Sequence, residues 1–322
     1  MLQLHTGVFS FKRPSMGSWI LYGLGSENQD LPGFITIKPG FGHGGQNLWG
    51  SSFLPGHYQG TPIGNNNLKV EDVEKEPVPY LVSKGLTPEY QRYEMEMLQK
   101  MNRRNAELND NDPELDARIS AFELAFRMQV KAPEAFEVEK ESSETKKLYG
   151  LDDETTKNFG WQCLLARRLS ERGVRFVQCY HNYWDHHTEI AKLHPQRAVE
   201  VDKPIAGLLK DLKARGLLKD TLVIWTGEFG RTPWAQFSDG RDHNPYGFTM
   251  WMAGAGVKPG FVYGATDEFG YHAVENRMHI HDMHATVLHL MGLDHQKLTY
   301  RYAGRDFRLT DVAGSVAKGI IA

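Results

Sequence analysis

The sequence predicts an α/β fold, a mainly parallel sheet covered by helices. Three observations carry this. Beyond residue 153, short apolar runs of strand length alternate with stretches of helical spacing. The runs are nearly continuous instead of alternating apolar and polar, as expected for strands buried on both faces. The chain has 322 residues, 40% of them hydrophobic and 24% charged, enough for a full core of ordinary globular composition. One domain over residues 1–322 is expected, with a helical insertion or cover at 68–150.

In chain order, a Gly-rich turn region leads to Phe34-Ile35-Thr36-Ile37, a buried-strand pattern stopped by Pro39 and Gly40. Residues 40–67, rich in Gly, Pro, Asn and aromatics, read as a long irregular loop of the functional kind, with Trp49 and Tyr58 as its substrate-facing aromatics. Charges dominate 68–150, where helices are predicted over 87–109 and 113–130, the first opened by Thr87-Pro88-Glu89. A helix through Leu164 and Leu165 ends near Gly173 and is followed by a strand over 174–180. A helix over 198–214, strands over 221–226 and 248–253, and a helix over 281–291 complete the pattern.

The formal net charge of −3 provides no broad basic field for a phosphate backbone, so nucleic acid is not an expected partner. Two cysteines, Cys163 and Cys179, make no disulfide framework and leave the redox compartment open. No apolar run approaches the roughly 18 residues of a membrane span, and residues 1–13 lack the apolar block of a secretory signal.

Eleven of the 14 histidines fall between His181 and His295, which directs the search for chemistry to the C-terminal half. Ligands of such sheets sit beyond the carboxyl ends of strands. HNYWDHHTEI, residues 181–190, follows one strand; if extended there, Asp185 and His187 project to one side. Their carboxylate and imidazole suit zinc, manganese or iron better than calcium alone; the competing role for Asp185 is capping the next helix. TGEFGRTP, residues 226–233, ends another strand, where Glu228 is a candidate ligand and Arg231 a candidate bidentate holder of a tetrahedral anion, unless the two simply pair. GRDHNPYG, residues 240–247, adds His243 as a ligand and Asp242 as a ligand or an orienting partner of the imidazole. In 279–295 the histidines look like a metal site, but Val287, Leu288 and Met291 give a core face, and His281, His284 and His289 are read as surface or capping residues.

LLKDLKARGLLKDTLVIWTGEFGRTP (208–233) resembles the sulfatase segment whose helix, turn and apolar strand lead into an Asp-His-Gly metal motif, and HDMHATVLHLMGL (281–293) is similar to a sulfatase helix. Over nearly the whole chain the sequence resembles the bacterial family called domain of unknown function 1501, abundant in planctomycetes. RPSMGSWILYGLGSENQDLP, GRDHNPYGFTMWMAGAGVKPGFVYGATDEFGY and LTYRYAGRDFRLTDV carry that likeness. The resemblance implies an alkaline phosphatase-like core in which divalent ions (zinc, manganese or calcium) clamp a phosphate or sulfate ester. Asp185, His187 and His243 match its ligands, and Glu228 stands where Asp is usual. Phe229 stands where a His ligand is usual, which weakens a second metal site. His5-Thr6-Gly7 resembles the Thr-Gly pair that follows the nucleophile, so the nucleophile and one metal Asp are expected upstream of Met1, along with the export signal that would send the protein to the periplasm or beyond. Ser15 and Ser18, in RPSMGSW, are the only nearby nucleophile candidates, and they read as a helix start.

Two functions are therefore expected to compete: a metal-dependent hydrolase acting on a small-molecule or glycan ester, inactive if the nucleophile segment is missing, or a non-catalytic protein of the same fold that binds an anionic glycan.

Overall fold

A computed structural model of the chain describes all residues except 43, 79–84, 86, 109–118, 120–122, 125–126 and 128–133. Two compact units emerge. One comprises Phe11–Glu141 and Arg168–Tyr180, the other Met1–Ser10, Ser142–Arg167 and His181–Ala322.

The first unit is organised by a three-stranded parallel sheet in the order β2-β1-β3, with β1 at Phe34–Ile37, β2 at Thr61–Ile63 and β3 at Phe176–Cys179. β1 is buried along its whole length, Thr36 included, as expected for a mostly apolar run covered on both faces. Helix α2 (Met16–Leu24) lies on this sheet: a side chain at Gly17 would reach within 2.6 Å of Phe34 and 2.7 Å of Phe176, so glycine there permits the approach. The two phenyl rings meet edge to face at 5.0 Å. Ser15 caps α2 by accepting from the Ser18 amide, and the Ser18 hydroxyl donates to the Gly50 carbonyl. Both serines are fully buried in these structural bonds, as a helix start rather than a nucleophile.

The loop expected over 40–67 contains two short 3-10 turns and also β2, an edge strand that carries Pro62 at its centre. Trp49 is only 1% exposed and packs edge to face on Phe41, so it is a core residue with no face to offer a glycan; Tyr58 is half-buried against Tyr22. Helix α3 (Val70–Lys75) follows, and α4 (Pro88–Leu108) matches the first helix expected in the charged block. The second, over 113–130, falls mainly outside the described residues.

The second unit opens with α1 (Leu2–Thr6), then α5 (Ser143–Leu148) and most of α6 (Glu154–Glu171). Helix α7 (Ile190–Ala214) starts eight residues earlier than expected and runs through Pro195 and Pro204. Its glycine at 207 packs on the Leu148 carbonyl of α5, 2.5 Å from where a Cβ would stand. Asp211 of α7 is buried and joins Arg167 Nε at 3.0 Å, Arg215 Nε at 2.7 Å and the Tyr149 hydroxyl at 2.9 Å.

Strand β4 (Val223–Trp225) pairs with β7 (Trp251–Ala253) in antiparallel register, and the remaining strands form two-residue or three-residue antiparallel ribbons. The architecture is thus mixed α/β, with one small parallel sheet and several small antiparallel ones, instead of one mainly parallel sheet. The last helix, α8 (Ile280–Leu290), begins in a capping box of His279 and Asp282. His284, expected on its surface, is fully buried and bonds the Leu4 carbonyl at 2.7 Å; His281 similarly reaches the Gly7 carbonyl. No helix among the described residues is long and apolar enough to cross a membrane.

Candidate metal centre

Between β3 and α7 the chain is irregular, with Tyr183 at φ 70° and Glu189, the residue before α7, at φ 51°. Aromatic packing holds this segment. Trp184 donates from its indole to His181 Nδ1 at 2.8 Å, and His181 Nε2 in turn donates to Glu200 of α7 at 2.8 Å. The Trp184 ring lies 4.9 Å from His194 and 6.2 Å from Trp225 of β4. The neighbouring imidazoles diverge: His186 is buried beside His194, whereas His187 turns toward Asp185, as the alternation along the chain predicts.

The third contributor arrives on a ribbon, β5 (Gly230–Arg231) paired with β6 (His243–Asn244), in which Arg231 lies opposite His243. Asp185, His187 and His243 converge so that one ligand atom from each lies within 4.8 Å of the others. Both imidazole Nε2 atoms are 2.9 Å from Asp185 Oδ1, and they stand 3.1 Å from each other.

Arg231 completes the cluster. Its Nη2 donates to Asp185 Oδ1 at 2.6 Å and to the Trp184 carbonyl at 3.2 Å, and its Nη1 to the Arg241 carbonyl at 3.2 Å. Burial alone would raise the Asp185 carboxyl; the hydrogen bonds from Arg231 and His243 and the surrounding positive charge override it and hold the pKa at about 2. Asp185 is therefore ionised at neutral pH and able to act as a ligand.

Other groups orient these three. Gln236 Oε1 accepts from His187 Nδ1. Asp239 holds the Glu189 amide at 2.8 Å, and the Arg241 amide reaches the His186 carbonyl at 3.2 Å, so residues 236–241 brace 185–189. Gly240 is required at this contact, because a Cβ there would stand 1.7 Å from the His187 carbonyl oxygen. Phe229 stacks on His243 at 4.1 Å and 26° and receives the Arg231 guanidinium at 5.7 Å from its centroid.

The remaining expected site residues fall elsewhere. Glu228 is half-buried and is not among the groups whose ligand atoms converge. Asp242 is exposed and accepts from the His243 backbone amide at 2.7 Å, fixing the chain at 243 and not the imidazole. Gln236 and Gly240 had no role expected from the sequence, although Gly240 stood at the head of one motif, and Phe229 was expected only as the residue replacing a His ligand. Gln236 carried no signal, lying in a polar stretch with no spacing to mark it.

Two clefts lie in this unit, the first of them bordered by Asp185. One is lined by Tyr183, Asp185, His186, Leu193 and Arg197, the other by Pro233, Trp234, Asp267, Phe269, Tyr271 and His272. No functionally curated protein and no solved structure matches the chain. A family model does, over residues 1–321, and the chain belongs to that family, the proteins of unknown function DUF1501.

Proposed function

We propose that this chain is a metal-dependent hydrolase of phosphate or sulfate esters, with a core related to that of alkaline phosphatase and the sulfatases. One observation carries the reading. The Gln236 amide oxygen accepts only a proton, so His187 Nδ1 is the donor and, in the neutral ring, the lone pair resides on Nε2. That lone pair faces Asp185 Oδ1 at 2.9 Å, an arrangement of two acceptors that needs a positive species between or beside them. Arg231 already stands beside Oδ1 at 2.6 Å, and a proton or a metal ion between the two acceptors would complete the arrangement. An imidazole whose far nitrogen is fixed by an oxygen acceptor is also the usual arrangement behind a metal ligand.

Asp185 Oδ1, His187 Nε2 and His243 Nε2 would hold the ion, and the mixture of two imidazoles and one carboxylate fits zinc or manganese. When bound, the ion supplies Lewis-acid polarisation of the ester and charge stabilisation at an oxygen. Arg231 keeps Asp185 ionised and in place, and its guanidinium brings positive charge to the same opening for an anionic substrate group. Phe229 and Gln236 fix the two ring planes.

A non-catalytic binding role remains the competing reading, favoured by Phe229 in place of a histidine and by Glu228 lying outside the converging set. Metal analysis of the purified chain, followed by assays with an aryl phosphate and an aryl sulfate, separates them. The hydrolase reading expects about one divalent ion per chain and its loss, with any turnover, in His243→Ala. Absence of metal in both forms, with equal activity, would overturn it.

A further inference from the structure

Beside the candidate centre lies a group of aromatic side chains that the core does not absorb. Trp234 is 54% exposed, Tyr246 57% and Phe269 69%. Tyr271 sits between the first two, 4.7 Å from the Trp234 ring at 45° and 5.5 Å from the Tyr246 ring at 58°. His272 closes one end, 5.3 Å from Tyr246. Exposed aromatics gathered in this way mark a binding surface more than a packing fault. We propose that Trp234, Tyr246 and Tyr271 form a saccharide subsite, seating an uncharged sugar ring of the ester whose charged group is held at the Asp185, His187 and His243 centre; this rests on the hydrolase reading above.

The chemistry of the surface selects this ligand. The cleft at Trp234 and Tyr271 encloses about 370 Å³, within the range of small-molecule sites. Its lining holds one carboxylate, Asp267, and neither lysine nor arginine, so an anionic group is disfavoured there and belongs at Arg231 instead. Asp267 Oδ1 accepts from the Tyr271 amide at 2.8 Å and Oδ2 from the His272 amide at 2.9 Å. These bonds, with a third from the Phe269 amide, fix the carboxylate and leave a lone pair for a hydroxyl donor. A pyranose offers what such a dish takes: C–H groups on one face for the aromatic rings, and hydroxyls around the rim. The rings are inclined by 45° and 58°, giving a curved surface and not the parallel slot that would suit a flat heterocycle.

The shelf is also wired to the centre. Trp234 follows Arg231 by three residues, so their Cα atoms are at most about 11 Å apart. Thr232 ties the turn down, donating from its hydroxyl to the Trp234 carbonyl at 3.0 Å and from its amide to the Asp242 carbonyl at 2.9 Å. Asn244, the fully buried neighbour of His243, donates to the Tyr271 carbonyl at 2.9 Å and accepts from the Tyr246 amide at 3.1 Å. One ribbon therefore positions both a metal-ligand candidate and the sugar platform.

Native gel electrophoresis through xylan, laminarin and sulfated carrageenan tests this, with Trp234→Ala, Tyr246→Ala, Trp234→Phe and His243→Ala compared with the unaltered chain. Retardation by at least one polysaccharide is expected. It should weaken about tenfold in either alanine variant, as expected for the loss of an aromatic contact, and largely persist in Trp234→Phe. His243→Ala should keep retardation by the neutral polymers while losing metal, which separates failure of the subsite from failure of the hydrolase reading. Because the altered side chains are more than half exposed, circular dichroism should show every shelf variant folded. No retardation by any polymer, or retardation equal in Trp234→Ala and the unaltered chain, would overturn the proposal. So would retardation by carrageenan alone that His243→Ala abolishes.

Discussion

Acid should destabilise the unit that holds α8 through one histidine, His284. Its ring is fully buried; Nε2 donates to the Leu4 carbonyl at 2.7 Å, and Nδ1 has no hydrogen-bond partner among the described residues. Charging it would bury a cation and strand an N–H. Burial, helped by the charges of His281 and His279 and opposed by the bond to Leu4, accordingly lowers its pKa from 6.5 to about 4. Between those values the unfolded chain binds the proton and the folded chain does not, so stability falls as pH drops through that window. At pH near 5 the loss from this group is about 2 kcal/mol. In a chain of 322 residues that is roughly 3 °C in Tm. His284→Gln keeps an amide donor for Leu4 and removes the titration, so thermal melts at pH near 7.5 and near 5 should show a smaller drop in the variant by about that amount. His5, also lowered by burial, to about 3, should leave a residual slope in both. Melting curves that fall in parallel for variant and native chain would refute the reasoning.

Two substitutions probe the rest of this unit. Gly240→Ala puts a methyl carbon against the His187 carbonyl, where neither backbone can yield cheaply, so zinc affinity measured by chelator competition should fall about 10–100-fold, and unchanged affinity would disconnect residues 236–241 from the centre. Asp211→Ala leaves the buried Arg167 guanidinium without its carboxylate and should cost about 3–5 kcal/mol in urea unfolding; a loss under about 1 kcal/mol would show that the pair is solvated.

The apolar runs located strands well but gave neither their direction nor their weaker neighbours. Phe34–Ile37 was readable because three apolar residues and a β-branched threonine stand between turn signals. Thr61–Ile63 was not, because a central proline argues against a strand everywhere except at an edge, which is where β2 lies. Val223–Trp225 and Trp251–Ala253 were both anticipated, yet nothing in a run of apolar residues says whether its partner is parallel, and they pair antiparallel. Helix α7 was expected over 198–214, whereas it begins at Ile190 and the chain accepts the loss of two backbone hydrogen bonds, at Pro195 and Pro204, to keep 25 residues helical.

At the centre, residue type was legible and orientation was not. Alternation along the chain selected His187 over His186, and a late histidine beside a strand end gave His243. That Arg231 would close on Asp185, and that Phe229 would stack on His243, depends on the β5–β6 register, which two-residue strands do not announce. This register also bears on the charge balance of the proposed hydrolase. A phenyl ring at 229 supplies no ligand, so it cannot help to hold a second cation, but it stacks on one candidate ligand and beneath the guanidinium. The Arg231 guanidinium is fixed by two backbone carbonyls and a carboxylate. In the reading proposed here, the positive charge that a second ion would bring to an ester anion comes from this side chain, and the ribbon that carries His243 carries it too.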